Sequence, residues 1–241
     1  MTAEPMRSRS RRAAVSSPIL ERSSVPLTTI IVAVVVAVVL TVIGFVLRAT
    51  QPDQGLAEAL NSLHTGGTAL LTNTVYHVFS PAEAIIITVI ITAVIWWRQR
   101  DIRPAAAFAG LVAVTWIPSD IVKIIVGRPR PDVHLLAHAY TPYQVDASYP
   151  SGHTVFVTAL VIALVYLFRR TRWERLTIVL GTILVIIVLV SLTIDAVHFP
   201  TDVLASVVWS LGVAPAARVV WVDWIMPRIP FLRPERKPVV R

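Results

Sequence analysis

The sequence predicts an all-α, polytopic membrane protein built as a bundle of six transmembrane helices. Three observations carry that prediction. The 241 residues are 55% hydrophobic and only 15% charged, with a mean hydropathy of +0.70, whereas soluble domains run roughly 45–50% apolar and about 25% charged. The apolar residues gather into six runs, each close to the roughly 20 residues a bilayer-spanning helix needs. The basic residues gather into four blocks between alternate runs. This pattern excludes disordered, collagenous and coiled-coil chains, and six spans leave no room for a second soluble domain.

The first run, Leu27 to Leu47, carries no charge. It exceeds a signal-peptide core and no small-residue cleavage site follows it, so it reads as a retained first span. The second, about 80–97, ends in Trp96-Trp97-Arg98, an aromatic and basic edge suited to a membrane interface. The third, about 104–126, holds Asp120 and Lys123 in its last part; the fourth, about 153–168, stops at Arg169-Arg170. The fifth covers 176–194 and the sixth about 202–222. Pro118 and Pro215 lie inside apolar runs, which membrane helices tolerate. Residues 1–26 are expected to form a disordered basic tail, 27–226 the six-span domain, and 227–241 a second basic tail.

Orientation follows from charge. Seventeen of the 22 Lys and Arg lie in the amino tail, 98–103, 169–175 and the carboxyl tail. Six alternating spans put all four blocks on one side, which the positive-inside rule makes the cytoplasm. Both termini are then cytoplasmic in a multi-pass cell-membrane protein. The net charge of +8 belongs to that topology and to anionic-lipid contacts, so no nucleic-acid partner is expected. With no cysteine, thiolate metal sites and thiol nucleophiles are excluded.

Three polar clusters break the apolar background: Lys123 to Pro131 (KIIVGRPRP), Tyr149 to His153 (YPSGH), and Ser191 to Asp202 (SLTIDAVHFPTD). The alternation of spans brings all three to the extracytoplasmic ends of spans 3 to 6. Ionisable groups at membrane depth are costly and signal function. Lys and Arg side chains with the amides of a Ser-Gly turn suit an anion with several oxygens, and phosphate fits best. Of two His residues, one can serve as nucleophile and the other as general acid. Asp202 follows His198 by four residues, so in a helix both share a face and the carboxylate could fix the ring tautomer. A metal held by His153, His198 and Asp202 is the rival, opposed by the repulsion of Lys123, Arg128 and Arg130.

At these residues the chain resembles the type 2 phosphatidic acid phosphatase family, membrane relatives of the vanadium haloperoxidases. Lys123, six residues and Arg130-Pro131 match its first motif; Pro150-Ser151-Gly152-His153 matches its second; Ser191, His198 and Asp202 keep the spacing of its third. One position departs: the family places Arg where this chain has Leu192. The resemblance implies His198 as nucleophile, His153 as general acid and Asp202 as the partner of His198. It also implies Lys123, Arg130, Ser151 and Gly152 as phosphate binders, a phosphohistidine intermediate, and no cofactor. The implied partner is a membrane lipid with a phosphate head group, of isoprenoid diphosphate or phosphatidate type. A phosphotransferase of the same fold, or a lipid-binding scaffold impaired by the missing Arg, stays open beside the hydrolase. Arg128 reads as headgroup-facing, Asp195 as a neighbour of His198 or a structural ion pair, and His64, His77, His134 and His138 as loop or interface residues.

Overall fold

A computed structural model describes residues 17–233, and every regular element among them is helical. Eight α-helices follow in order: α1 Pro26–Thr50, α2 Gln54–Asn61, α3 Gly66–Val78, α4 Pro81–Gln99, α5 Ile102–Val126, α6 Gly152–Phe168, α7 Glu174–Ile194 and α8 Pro200–Arg218. The chain continues from α8 through a π-helical turn, Val219–Ile225, and two short 3₁₀ turns. Proline opens α1, α4 and α8, where its missing N–H costs nothing and its fixed φ is already helical.

All six apolar runs become helices. Five of them (α1, α4, α5, α7 and α8 with its extension) are long and apolar enough to cross a membrane. The other, α6, has 17 residues, about 26 Å at 1.5 Å per residue against a hydrocarbon core of roughly 30 Å. It is apolar on all sides and packs against α5, α7 and α8, as a helix hydrophobic all round must. By contrast α1 turns Val34, Val35, Val38 and Val42 outward, a face that only lipid can satisfy.

The stretch between the first two spans folds into two further helices, α2 and α3, which pack on α7. Neither helix is long enough to have signalled itself as a span. One expectation needs correction: residues 17–25 are ordered, whereas 1–16 and 234–241 lie outside the described residues. Ile19 is fully buried in the same apolar cluster as Phe108 and Leu111, and Glu21 pairs with Arg170 at 2.9 Å. One buried isoleucine inside a basic, Ser-rich stretch is a weak signal, and the neighbouring helices supply the cavity that it fills.

Three details set the end of the bundle where the motifs meet. Gly127 ends α5 at φ +58°, a left-handed conformation that glycine adopts without steric cost. Arg48 at the end of α1 donates to the Val126 carbonyl at 2.9 Å, satisfying one of the last carbonyls of α5. Tyr149 hydroxyl donates to the Leu40 carbonyl of α1 at 2.7 Å. Its ring lies where a Cβ on Gly44 would come within 2.6 Å, so glycine there admits the tyrosine that anchors the segment before α6.

Candidate active site

The carboxyl ends of α5 and α7 and the amino ends of α6 and α8 converge, together with the 127–151 and 195–199 connections. The rings of His153 and His198 stand edge to face, 6.3 Å between centroids, although 45 residues separate them in sequence. His198 is completely buried. Its Nε2 lies 3.4 Å from Arg130 Nη1, and its Nδ1 has no hydrogen-bond partner. Burial, then the nearby Arg130, Lys123 and His153, hold the His198 imidazole well below its ordinary pKa, which keeps it neutral.

Lys123 and Arg130 meet across a third residue. Asp146 Oδ2 accepts from Lys123 Nζ at 2.7 Å, and Asp146 Oδ1 accepts from Arg130 Nη2 at 2.7 Å and from Nε at 3.2 Å. Arg130 Nη1 also donates to the Val197 carbonyl, which fixes the guanidinium beside His198. Burial tends to raise the Asp146 pKa, but the two cations outweigh it and hold the carboxyl below its ordinary value.

Ser151 caps α6: its Oγ accepts from the Thr154 amide at 3.4 Å, its amide donates to Ser206 Oγ at 2.8 Å, and the residue is fully buried. Gly152, next in sequence, lines the open space beside His153, Lys123 and Arg130. The His153 ring stacks on Tyr76 of α3 at 4.6 Å and 28°, and its Nε2 is buried without a partner.

Asp202 departs from its sequence expectation. His198 precedes α8 rather than lying in it, and Asp202 Oδ2 stands 3.8 Å from His198 Nδ1, beyond hydrogen-bond reach. That oxygen accepts from the Phe199 amide at 2.9 Å, while Oδ1 accepts from Arg128 Nη1 at 2.6 Å. Arg128 is correspondingly not headgroup-facing but fully buried. Its Nη2 reaches Asp53 at 2.5 Å and its guanidinium lies 3.9 Å over the Phe199 ring. Asp53 in turn accepts from the Thr201 amide and hydroxyl at 3.0 and 2.6 Å. Burial pushes Asp53 upward, and Thr201 and Arg128 overcome that and lower it.

Asp195 lies beside His64, whose Nε2 is 3.4 Å away. His64 Nδ1 lies 2.6 Å from the His138 carbonyl and Asn61 accepts from the His138 amide at 2.8 Å. This polar strap ties α2 and α3 to the connection above the site. Burial raises Asp195 to about 6. Leu192, where the resembled family carries Arg, is wholly buried in the apolar cluster.

Sequence reasoning missed Asp146, Tyr76, Asp53 and the burial of Arg128. No periodicity marked the first three, and nothing in the local sequence sets Arg128 apart from Arg130.

A cavity of about 640 Å³ opens on this cluster. Lys123, Arg130, Asp146 and His153 form its polar end; Ile85 and Val89 of α4 with Val112 and Ile117 of α5 line its apolar length. Residues 103–226 match the model of the PAP2 superfamily.

The chain belongs to the PAP2 superfamily.

It is 29% identical over 133 residues to the undecaprenyl-diphosphatase BcrC of Bacillus subtilis (strain 168), a match covering 54% of this chain and 66% of that protein. It is 26% identical over 157 residues to an undecaprenyl-diphosphatase of Sulfolobus acidocaldarius, covering 64% of this chain and 68% of the relative. These matches thus span about two thirds of each relative's length. In fold it resembles the crystal structure of a transmembrane PAP2-type phosphatidylglycerolphosphate phosphatase from Bacillus subtilis, with a TM-score of 0.62 and 16% identity. That likeness covers 85% of this chain and 96% of the other. The protein is therefore a multi-helix membrane member of a phosphatase family.

Proposed function

We propose that this PAP2 protein hydrolyses the terminal phosphate of a lipid-linked phosphate or diphosphate, with an isoprenoid diphosphate as the leading substrate class. One observation carries the proposal: two imidazoles 6.3 Å apart share one end of the bundle with Lys123 and Arg130, where an apolar cavity ends. A polar head and a long apolar wall between α4 and α5 suit an amphiphile. The named substrates of the two curated relatives belong to the same class.

In the proposed reaction His198 Nε2 attacks phosphorus in line, forming an N–P bond as the P–O bond to the lipid breaks. His153, protonated, gives its proton to the departing oxygen. Neutral His153 then takes a proton from water, whose oxygen displaces His198 and releases inorganic phosphate. Lys123, Arg130 and the first amides of α6 at Gly152 hold the phosphoryl oxygens. Ser151 supports them from below by capping α6. Asp202 and Arg128 fix the 197–202 backbone that presents His198, and the Asp202 charge at 3.8 Å favours the proton on Nδ1. The pocket then works with two cations, because position 192 supplies none and Arg128 is committed to two carboxylates.

The proposed topology has six crossings, both termini in the cytosol and the site on the outer face; the four basic blocks support it. Phosphate release by the detergent-purified protein from a panel of lipid phosphates and diphosphates tests the reading, with chelator and with His198→Ala. Chelator-resistant release abolished by His198→Ala is expected. Release that survives the substitution overturns the scheme, and chelator-sensitive release reinstates a metal.

A further inference from the structure

Two features of the site do not fit a pocket that waits open for phosphate. His198 is fully buried and does not line the cavity that reaches His153 and Arg130. The two cations expected to hold phosphate are already bridged by a carboxylate, with contacts of 2.7, 2.7 and 3.2 Å. An Asp that joins a lysine to an arginine in this way offers two anionic oxygens to donors that would equally take those of a phosphoryl group.

We propose that Asp146 is an internal anion that occupies the phosphoryl seat at rest, is displaced by the incoming substrate phosphate, and returns to expel product phosphate. This rests on the phosphatase reading above. The placement of Asp146 suits such an exchange. Its side chain is half exposed, its neighbour Val145 is wholly exposed, and Thr141, Pro142 and Tyr143 are exposed as well. The backbone is anchored at Ser148, whose amide donates to the Arg128 carbonyl at 2.8 Å, at Tyr149, and at Asp146 itself, whose carbonyl accepts from Arg130 Nε at 3.2 Å. The exchange is therefore a rotation of the Asp146 side chain, with its backbone and the PSGH turn held in place. Arg130 keeps its bond to the Val197 carbonyl, so the guanidinium stays beside His198 when the carboxylate leaves.

An internal competitor weakens every phosphoryl ligand, product included. Removing it therefore tightens phosphate binding and slows product release. A carboxylate that merely holds Lys123 and Arg130 in position has the opposite signature, because its loss loosens phosphate. The sign of the change separates the two roles.

The test compares full-length wild type with Asp146→Asn in a phosphorus-free detergent at pH 8, where inorganic phosphate is a dianion. Product inhibition by inorganic phosphate is expected to tighten about tenfold in the variant, with a lower KM and no gain in kcat. Unchanged or weaker phosphate inhibition overturns the proposal. Because the chain has no cysteine, Val145→Cys carrying an environment-sensitive fluorophore gives a second reading that needs neither turnover nor the Asn variant. Inorganic phosphate must change its emission, and a silent probe at saturating phosphate overturns the displacement. Turnover that survives His198→Ala defeats the reaction scheme but leaves these two readings intact. A normal His198 dependence with Asp146→Asn indistinguishable from wild type defeats the Asp146 proposal alone. Failure of the wild type both to turn over and to bind phosphate defeats both.

Discussion

Asp202 holds Arg128 at 2.6 Å and stands 3.8 Å from the Nδ1 of His198. The residue that spacing assigned to the histidine is thus primarily the anchor of a buried arginine. Arg128 joins Asp202 at the start of α8 to Asp53 at the start of α2, and the connection carrying His198 is bracketed between them.

Arg128→Ala should therefore be among the most destabilising single changes in the chain. It leaves two buried carboxylates without their cation, and breaking a buried pair from one side costs about 3–5 kcal/mol. Thermal unfolding in detergent should show a large drop, with Arg128→Lys intermediate because one ammonium cannot span both carboxylates as a planar fork does. A change in unfolding temperature no larger than that of an exposed control such as Arg172→Ala would contradict the structural role.

Tyr76 on α3 stacks on His153, and aromatic pairs contribute about 0.5–1.5 kcal/mol beyond the area they bury. Tyr76→Phe should keep phosphate release near wild type. Tyr76→Leu should lower kcat by roughly tenfold, since a loss of about 1.4 kcal/mol in the transition state is one decade. Equal activity in all three proteins would remove Tyr76 from the positioning of His153.

Leu192 is completely buried and belongs to the main apolar cluster. Leu192→Arg restores the residue type of the family motif but places a charge where this chain has packed hydrocarbon, and an unpaired buried charge is costly. Its unfolding temperature should fall further than that of Leu192→Met, which conserves volume and polarity. A stable Leu192→Arg protein would mean that the guanidinium reaches the phosphate seat.

The pH dependence of stability has a predictable sign. The folded pKa of His198 is depressed, so below the ordinary imidazole range of about 6.5 the unfolded chain binds a proton that the folded chain refuses. Stability contributed by neutral His198 is then present above that range and lost as pH falls through it. Asp195, raised to about 6, works in the opposite direction between about pH 6 and its ordinary value near 4. Unfolding temperatures from pH 7.5 to 5.5 should decline in the wild type and decline less in His198→Gln. Parallel curves would show that His198 titrates normally.

The sequence by itself determined what depends on local composition and period. Uninterrupted apolar runs had to become helices, because a chain in lipid must satisfy its own backbone, and the positions of Lys123, Arg130, His153 and His198 at or just beyond the ends of those helices brought them to one end of the bundle. It also carried the membership of the family, since each matching motif is defined by residue types at short, fixed spacings. Only the tertiary structure decided which charges face one another. Arg128 and Arg130 are two residues apart, yet one is sealed between Asp53 and Asp202 while the other meets Asp146 and His198. Nothing in a charge pattern separates them, because ion pairing depends on distances of a few ångströms between segments that the folded bundle alone brings together. The same reason hid α2 and α3: their burial comes from docking on α7, a face the sequence of either helix does not contain.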